Sequence, residues 1–556
     1  MDSETSKGFG PSKVTESTMF SDPLNIFDQS EIEEDVLGGR TVVFRPLSEN
    51  NEGPYEFSID PQGEHQYLQL NSVRLGGRCR ILNPDGSELS ENADLSIVNM
   101  FPSSLFQGTE TKFNNVIVTD LTSNLSHYQA YMQTICSYNK NSQNTHMQGQ
   151  MLIPDDPGKY DQLSYDSSVI LAEDDRYGEN NLFQKFDETT RKAVIKEVNG
   201  KEDTETSSSI TINAQGRIVK EGQNGQKTEG DELSSTIILS NTDVKSITEN
   251  KISATTAMKL IEKYVAVAIN AKGVNSGYVS RRKIIGKSKY FDFYIPVCSD
   301  IFHSDKFLHP SIGVKILLRR SPEGFSLLAD SDVAYKIELS NLKLYTRYVH
   351  IHDNIVKKHK ALLGNDKVLR YPITRSTMKS YNIPKDNASM YISNMFSGIL
   401  PRTIIIGMVL NEAFYGHQKK NPFHFQHFNL KNAHLRVNGE TVPSEPIAPD
   451  FQRNMFMREY LDFYRNIGID ISDDSGNLIT PAQYKGGSFF MAFDLSGEQC
   501  NQLHRHKTMT GNIDFEGNFE VVLPHTITLI VYASTDAEIC IGPKGPFVDY
   551  QEPRGK

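Results

Sequence analysis

Tryptophan is absent from the 556 residues, although 29 Phe and 24 Tyr keep aromatics at 10%. Long apolar runs are missing as well. The longest, Thr403 to Leu410 and Thr526 to Ala533, fall far short of the ~20 residues a membrane-spanning helix needs, so no membrane span is expected. Met1 to Phe20 has neither a basic head nor an apolar stretch and does not read as a secretory signal. Cysteines are few: Cys79, Cys136, Cys298, Cys500 and Cys540, with no CxxC pair. An odd, scattered set predicts reduced thiols in a cytosolic or nuclear setting, which leaves the sequons at Asn124 and Asn387 without meaning. Positive charge is also short, 58 Lys and Arg against 69 Asp and Glu, for a net −11. A protein whose main task was coating a phosphate backbone would be basic, so sequence-specific nucleic-acid binding is not expected. With 38% hydrophobic and 23% charged residues, the chain is too apolar to be disordered and too polar to be a membrane protein.

Catalytic and metal signatures are equally thin. There is no GxSxG, no HExxH and no Cys beside a plausible His base. Gly286-Lys287-Ser288 imitates the end of a phosphate loop, but Arg281 stands where the loop needs glycine. Asp470 to Gly476 imitates a calcium loop, yet Ser475 and Pro481 occupy the positions of its glycine and glutamate, and an Asp-rich turn fits better. Asp473–Asp474 lies in that polar turn, where nothing would raise a carboxyl pKa. His350–His352 and His504–His506 are both HxH, as in a metal-binding bicupin, but the glutamate that should follow is missing in each case, and strand-edge or helix-start histidines are expected instead. His424 and His427 lie among Phe423, Phe425 and Phe428, a stretch that packs rather than ligates. No catalytic residue, cofactor site or metal site is expected, and the chain reads as a non-enzyme.

What the sequence does have is alternation. Residues 1–40 carry nine acidic and three basic side chains and read as an acidic N-terminal arm that contacts protein or solvent. From Glu64 onward, short period-two segments separated by Gly, Pro, Asn and Asp predict antiparallel strands. They include Tyr67 to Leu75, Val116 to Leu121, Tyr290 to Pro296, Val314 to Leu318 and Tyr335 to Val349. The last changes phase at Ser340–Asn341, which predicts a bulge. Residues 187–263 contain no aromatic residue and cannot build much core. They read as a polar surface insertion with weak strands at Ser209 to Ile212 and Thr236 to Leu239. Leu125, Tyr128, Tyr131 or Met132, and Ile135 recur at helical spacing behind Ser123 and Asn124, predicting a capped helix whose tyrosines pack on a sheet. His352 to Leu363 predicts a basic linker helix ended by Gly364 and Asn365.

Beyond the linker the strand pattern repeats at Tyr371 to Tyr381, Thr403 to Leu410, Leu435 to Val437, Phe489 to Phe493, Asn512 to Phe515, Phe519 to Leu523 and Thr526 to Tyr532. Asn438–Gly439 signals a type I′ hairpin, and Phe451 to Phe463 a second helix. The expected fold is all-β, two tandem eight-stranded jelly-roll sandwiches (a double jelly roll) with a few short helices. The expected division is an arm at 1–40, a first roll at 41–350, a linker at 351–365 and a second roll at 366–556. Basic clusters at Arg281-Arg282-Lys283, Arg319-Arg320 and Lys357-Lys358-His359-Lys360 are expected on solvated faces, the other reading being contact with an acidic neighbour or enclosed nucleic acid.

Ordered blocks in the second half then become familiar. Tyr371-Pro-Ile-Thr-Arg, Asn382-Ile-Pro, Leu400-Pro-Arg-Thr-Ile-Ile-Ile-Gly407 and Asn411-Glu-Ala-Phe-Tyr-Gly416 come first. Asn421-Pro-Phe-His-Phe, Asn429-Leu, Val437-Asn-Gly, Pro443-Ser-Glu-Pro446, Pro449-Asp-Phe451 and Arg458-Glu-Tyr-Leu461 follow. Phe493-Asp-Leu-Ser496 and Ile530-Val-Tyr-Ala533 close the series. In this order and spacing they resemble the major capsid proteins of Polinton/Maverick elements and adintoviruses, as do Tyr128 to Tyr138, Lys306-Phe-Leu, Val314-Lys-Ile and Tyr335-Lys-Ile in the first half. Ser496 stands where that family usually has Thr, and the 187–263 tract is larger than the family pattern. The resemblance implies a double jelly roll whose homotrimers form pseudo-hexagonal capsomers in the icosahedral shell of a double-stranded DNA virus. It also implies neighbouring capsomers, single-jelly-roll pentons and minor capsid proteins as partners, and a place in the virion capsid, assembled inside the host cell. The alternative from the residues alone is a non-viral double β-sandwich that binds carbohydrate or another ligand.

Overall fold

The computed structural model describes residues 35–48, 53–90, 93–119, 124–163, 275–470, 476–496, 509–542 and 545–549, with three short strands between 209 and 229. The first half supplies eight principal strands: β1 (Val36–Phe44), β2 (Tyr55–Ile59), β3 (Gln66–Leu82), β4 (Phe106–Phe113), β5 (Val116–Ile117), β6 (Phe291–Pro296), β7 (Val314–Arg320) and β8 (Lys336–Ile351). They pair as β1-β8-β3-β6 and β2-β7-β4-β5. The second half supplies β9 (Leu369–Ile383), β10 (Ser389–Ile399), β11 (Thr403–Leu410), β12 (Leu430–Val437), β13 (Glu440–Ile447), β14 (Phe490–Asp494), β15 (Thr510–Phe519) and β16 (Ile527–Gly542). These pair as β9-β16-β11-β14 and β10-β15-β12-β13. Adding eight to each strand number of the first half reproduces the second. All these pairs are antiparallel, and the order is that of a jelly roll in each half. The fold is therefore all-β, two jelly-roll sandwiches in tandem with short helices between strands.

Local chemistry explains the elements. Strand β11 has six consecutive buried residues because both of its faces are covered, so it reads as an apolar run rather than an alternation. β8 switches phase where Asn341 takes φ 53° and the pairing with β3 shifts between Ser340 and Lys343, the bulge the sequence announced. The hairpin β12–β13 turns on Asn438 and Gly439, both at positive φ, as a type I′ turn demands. The equivalent hairpin β4–β5 turns on Asn114 and Asn115, again both at positive φ.

Several expectations shift. Pairing begins at Val36, inside the segment read as arm. β10 escaped the sequence reading because its alternation slips at Asn394, where φ is 51° and the pairing with β15 jumps between Ile392 and Phe396. Of Phe519 to Leu523, only Phe519 belongs to a strand, as the last residue of β15. Its partners end at Leu430 and Ser389, and Val521 and Val522 are left exposed. The second helix runs Met457–Asn466 rather than from Phe451, whose ring stacks on His427 at 4.0 Å instead. Ser209–Ile212 pairs with Ile218–Glu221, which pairs with Lys227–Glu229. Thr236 to Leu239, Ser123, Asp473–Asp474, Cys500 and His504–His506 lie outside the described residues.

Candidate functional site

For a protein built of two sandwiches the first question is what makes them one body. Helix α1 (Ser126–Ser137) answers it. Its tyrosines do pack, but across to the other sandwich. Tyr131 lies flat on Phe423 with ring centroids 4.1 Å apart and planes 4° apart, and Tyr128 stacks on Phe414 at 5.8 Å while its hydroxyl donates to the Pro422 carbonyl. Tyr128, Tyr131, Met132 and Ile135 join one continuous core with the interior of the second sandwich. Tyr371, Ile373, Ile539 and Ile541 in turn join the core of the first. The capping expectation fails: Leu125 is the N-cap and bonds through no side chain, while Asn124 accepts from Arg319.

Behind α1 runs a buried polar seam. Helix α2 (Ser276–Ile285) places Arg281 with no exposed surface. Its guanidinium donates to the carbonyls of Ile97 (2.7 Å) and Ile153 (2.5 Å) and to Asp155 Oδ1 (2.5 Å). Asp155 also accepts from Asn275 at 2.7 Å and, from the second half, from Asn421 at 2.9 Å. Gln483 donates to the Asp155 carbonyl, and Tyr160 donates to Gln483 Oε1 at 2.6 Å. A charged pair survives burial only with its remaining lone pairs and protons satisfied, and these partners do that. A Cβ on Gly277 would stand 2.3 Å from the Pro154 carbonyl oxygen, so only glycine lets α2 approach closely enough. The expectation of a solvated basic triplet is thus corrected: Arg281 and Arg282 are buried, and Arg282 faces Asp94 at 3.6 Å. Arg319 and Arg320 pair with Glu110 and Glu323, and Lys357 and Lys360 with Asp353 and Glu64. These clusters meet acidic neighbours within the chain.

The described histidines among those singled out in the sequence make contacts within the chain. His350 bonds Gln66 from strand β8, and His352 caps a helix through Nδ1. His424 bonds Asp161 at 2.7 Å and stacks on Tyr160. Cys79, Cys136, Cys298 and Cys540 form no disulfide, and burial pushes the thiols of Cys136 and Cys298 up to about 12. The lysine of the false phosphate loop, Lys287, sits in a tight turn at φ 57°.

One buried histidine was not anticipated. His127 of α1 has 5% of its surface exposed, its Nδ1 has no hydrogen-bond partner, and burial lowers its pKa to about 3. Free histidine titrates near 6.5, so between those values the unfolded chain binds a proton that the native one refuses. Acidification should therefore cost about 1.4 kcal/mol of stability per pH unit from this group below roughly pH 6.5. Thermal unfolding of His127→Leu should depend less on pH than that of the parent between about pH 6.5 and pH 4. Parallel profiles would remove His127 as the cause.

A cleft of ≈ 770 Å³ opens between the sandwiches, lined by Gln133, Tyr138, Asp300, His303, Arg402 and Asp536 among others. Its carboxylates are engaged: Asp300 accepts from the Ser376 amide and Asp536 faces Arg402 at 3.5 Å. Outside, apolar side chains are exposed on separate faces. Tyr290, just before β6, and Tyr294, on it, are each more than half exposed, and Met457 and Leu461 are about half exposed on helix α4 (Met457–Asn466).

No family model matches the chain. Uncharacterized protein F54H12.2 of Caenorhabditis elegans is 23% identical over 256 residues, which is 45% of this chain and 61% of that protein, so the match spans under two thirds of the relative. Among solved structures, the cryo-EM structure of the Sputnik virophage aligns with 99% of this chain and 97% of its own, at 11% identity and TM-score 0.47. The quasi-atomic PBCV-1 virus capsid aligns with 95% of this chain and 100% of its own, at 9% and 0.44. The mavirus major capsid protein aligns with 99% and 97%, at 10% and 0.40.

Proposed function

We propose that this chain is a major capsid protein, a structural subunit rather than an enzyme. The observation that carries the reading is the repeated strand order, with both rolls locked into one body by α1 and the Asp155–Arg281 seam. Three copies of a rigid pair of like sandwiches present six similar walls, so a true three-fold trimer can tile as a hexagon. Such a subunit needs complementary flanks and loops that tolerate insertion. In this reading the capsomers enclose double-stranded DNA in an icosahedral virion shell, with single-jelly-roll pentons and minor capsid proteins as partners. The ordered sequence blocks favour the Polinton/Maverick and adintovirus type. The 187–263 tract would decorate the outer surface, and the acidic N-terminal arm would reach neighbouring capsomers along the inner face.

Light scattering on the eluting protein should give three times the chain mass of 62.7 kDa, and electron microscopy should show pseudo-hexagonal capsomers. Leu461→Asp, at a position 57% exposed, should lower the yield of particles while leaving the melting temperature of the subunit unchanged. The exposed Tyr290 and Tyr294 favour a carbohydrate-binding alternative, which requires a monomer that binds glycans through that face. A monomer at all concentrations would reject the capsid reading.

A further inference from the structure

Helix α3 (Asp353–Gly364) is twelve residues long, yet Val356 is its one buried side chain. Isolated helices shorter than ~12–15 residues are marginal in water, so packing has to supply the stability. Among the described residues the polar support includes a Tyr67–His359 hydrogen bond and the Lys360–Glu64 pair, and the apolar support is small. Val356 and Ile355 touch a small cluster of Tyr67, Val349 and Ile351, while Leu362 stays 50% exposed. Lys357, Lys358 and Lys360 share the exposed part of the helix, and Lys358 has no ion pair among the described residues. Beside the helix lies a cavity of ≈ 360 Å³, walled by Asp35, Phe307, His309, Ile355, His359 and Tyr371.

The N-terminal arm meets the barrel at this place. The Asp35 carbonyl accepts a hydrogen bond of 3.0 Å from the backbone N–H of His352, the N-cap of α3. Val36 pairs with Ile351 immediately before it. Asp35, the first described residue, is thereby held at the first turn of the helix. The sequence leading up to it combines Leu24, Ile26, Phe27 and Ile32 with Asp22, Asp28, Glu31, Glu33 and Glu34.

We propose that Asp22–Glu34 of the same chain covers α3. Its carboxylates face Lys357, Lys358 and the helix N-terminus, where negative charge is favoured, and its apolar residues cover Leu362 and enter the cavity beside Ile355. The helix spans ~18 Å, and the eight residues from Phe27 to Glu34 span ~26 Å when extended, so the reach suffices. A short tether holds its segment at an effective concentration of order mM, which favours the chain's own arm over a neighbour's. Residues 1–21 remain for contacts with other capsomers. The inference does not need the capsid reading to be right.

Carbodiimide cross-linking of the full-length protein, assembled from equal parts isotope-labelled and unlabelled chain, tests it. Cross-links from Lys357 or Lys358 to Glu31, Glu33 or Glu34 are expected within chains of one label. In the full-length double variant Ile26→Ser/Phe27→Ser these should fall, and amides 357–364 should exchange roughly tenfold faster. Absent cross-links with unchanged exchange would overturn the proposal. Links joining labelled to unlabelled chains would overturn it as well, giving the cover to a neighbour. Particles that form normally while the cross-links are absent would sink this inference and leave the capsid reading standing.

Discussion

Replacing Arg281 by leucine should lower the stability of the chain by about 3–5 kcal/mol, the usual cost of removing one partner of a buried ion pair. The side chains of Arg281 and Asp155 are 0% and 1% exposed, so water cannot take the place of the lost guanidinium. The leucine would leave the Ile97 and Ile153 carbonyls short of a donor, and the Asp155 carboxyl would be left with only the two asparagine amides. Asn421 and Gln483 belong to the second half and the rest of the cluster to the first, so the damage should also loosen the union of the sandwiches. Urea unfolding should show a lower midpoint and a broadened or split transition where the parent shows one. The double variant Arg281→Met/Asp155→Leu should stay destabilised, because the buried amides of Asn275 and Asn421 would each lose one of their acceptors. A change in Arg281→Leu below about 1 kcal/mol would mean that the seam does not hold the halves together.

Phe423→Ala should cost a similar ~3–5 kcal/mol, the range for emptying a buried aromatic position. Phe423 is 1% exposed and touches Tyr131, Tyr128 and Phe325, all from the first half. The cavity would open on the boundary between the rolls, where neither can relax to fill it without shifting the other. In a double-mutant cycle, Tyr131→Ala and Phe423→Ala should couple by about 0.5–1.5 kcal/mol, the excess expected of a stacked aromatic pair. Additive losses would show that the stacking contributes nothing beyond buried area. Thermal melts of the four proteins provide the measurement.

The roll architecture was legible because sandwich strands advertise themselves. Thr403–Leu410 is the same segment in sequence and structure, and the Ser340–Asn341 phase change is a real bulge. Reading failed where the backbone departed from simple alternation. Asn394 breaks β10 into two out-of-phase pieces, and Val521 and Val522 fall past Phe519, the last paired residue of β15. The seam was invisible for a different reason. Asp155 and Arg281 lie 126 positions apart, and local pattern cannot tell a basic triplet that ends a solvated helix from one plugged into a core. The aromatic partners were easier: the stretch from Phe423 to Phe428 reads as packing, and the partner its rings found, α1, was the one helix that broke the strand pattern in the first half.

The pairing order also constrains how the chain can be made. In both rolls the first strand lies against the last, Val36 opposite Ile351 and Leu369 opposite Ile541. Neither sheet can close before its final strand has left the ribosome, tens of seconds into synthesis at ~5–20 residues per second. Such a high contact order predicts slow folding, with sheet edges unprotected during the wait. Production of soluble protein should therefore respond strongly to chaperone supply and to lowered translation temperature.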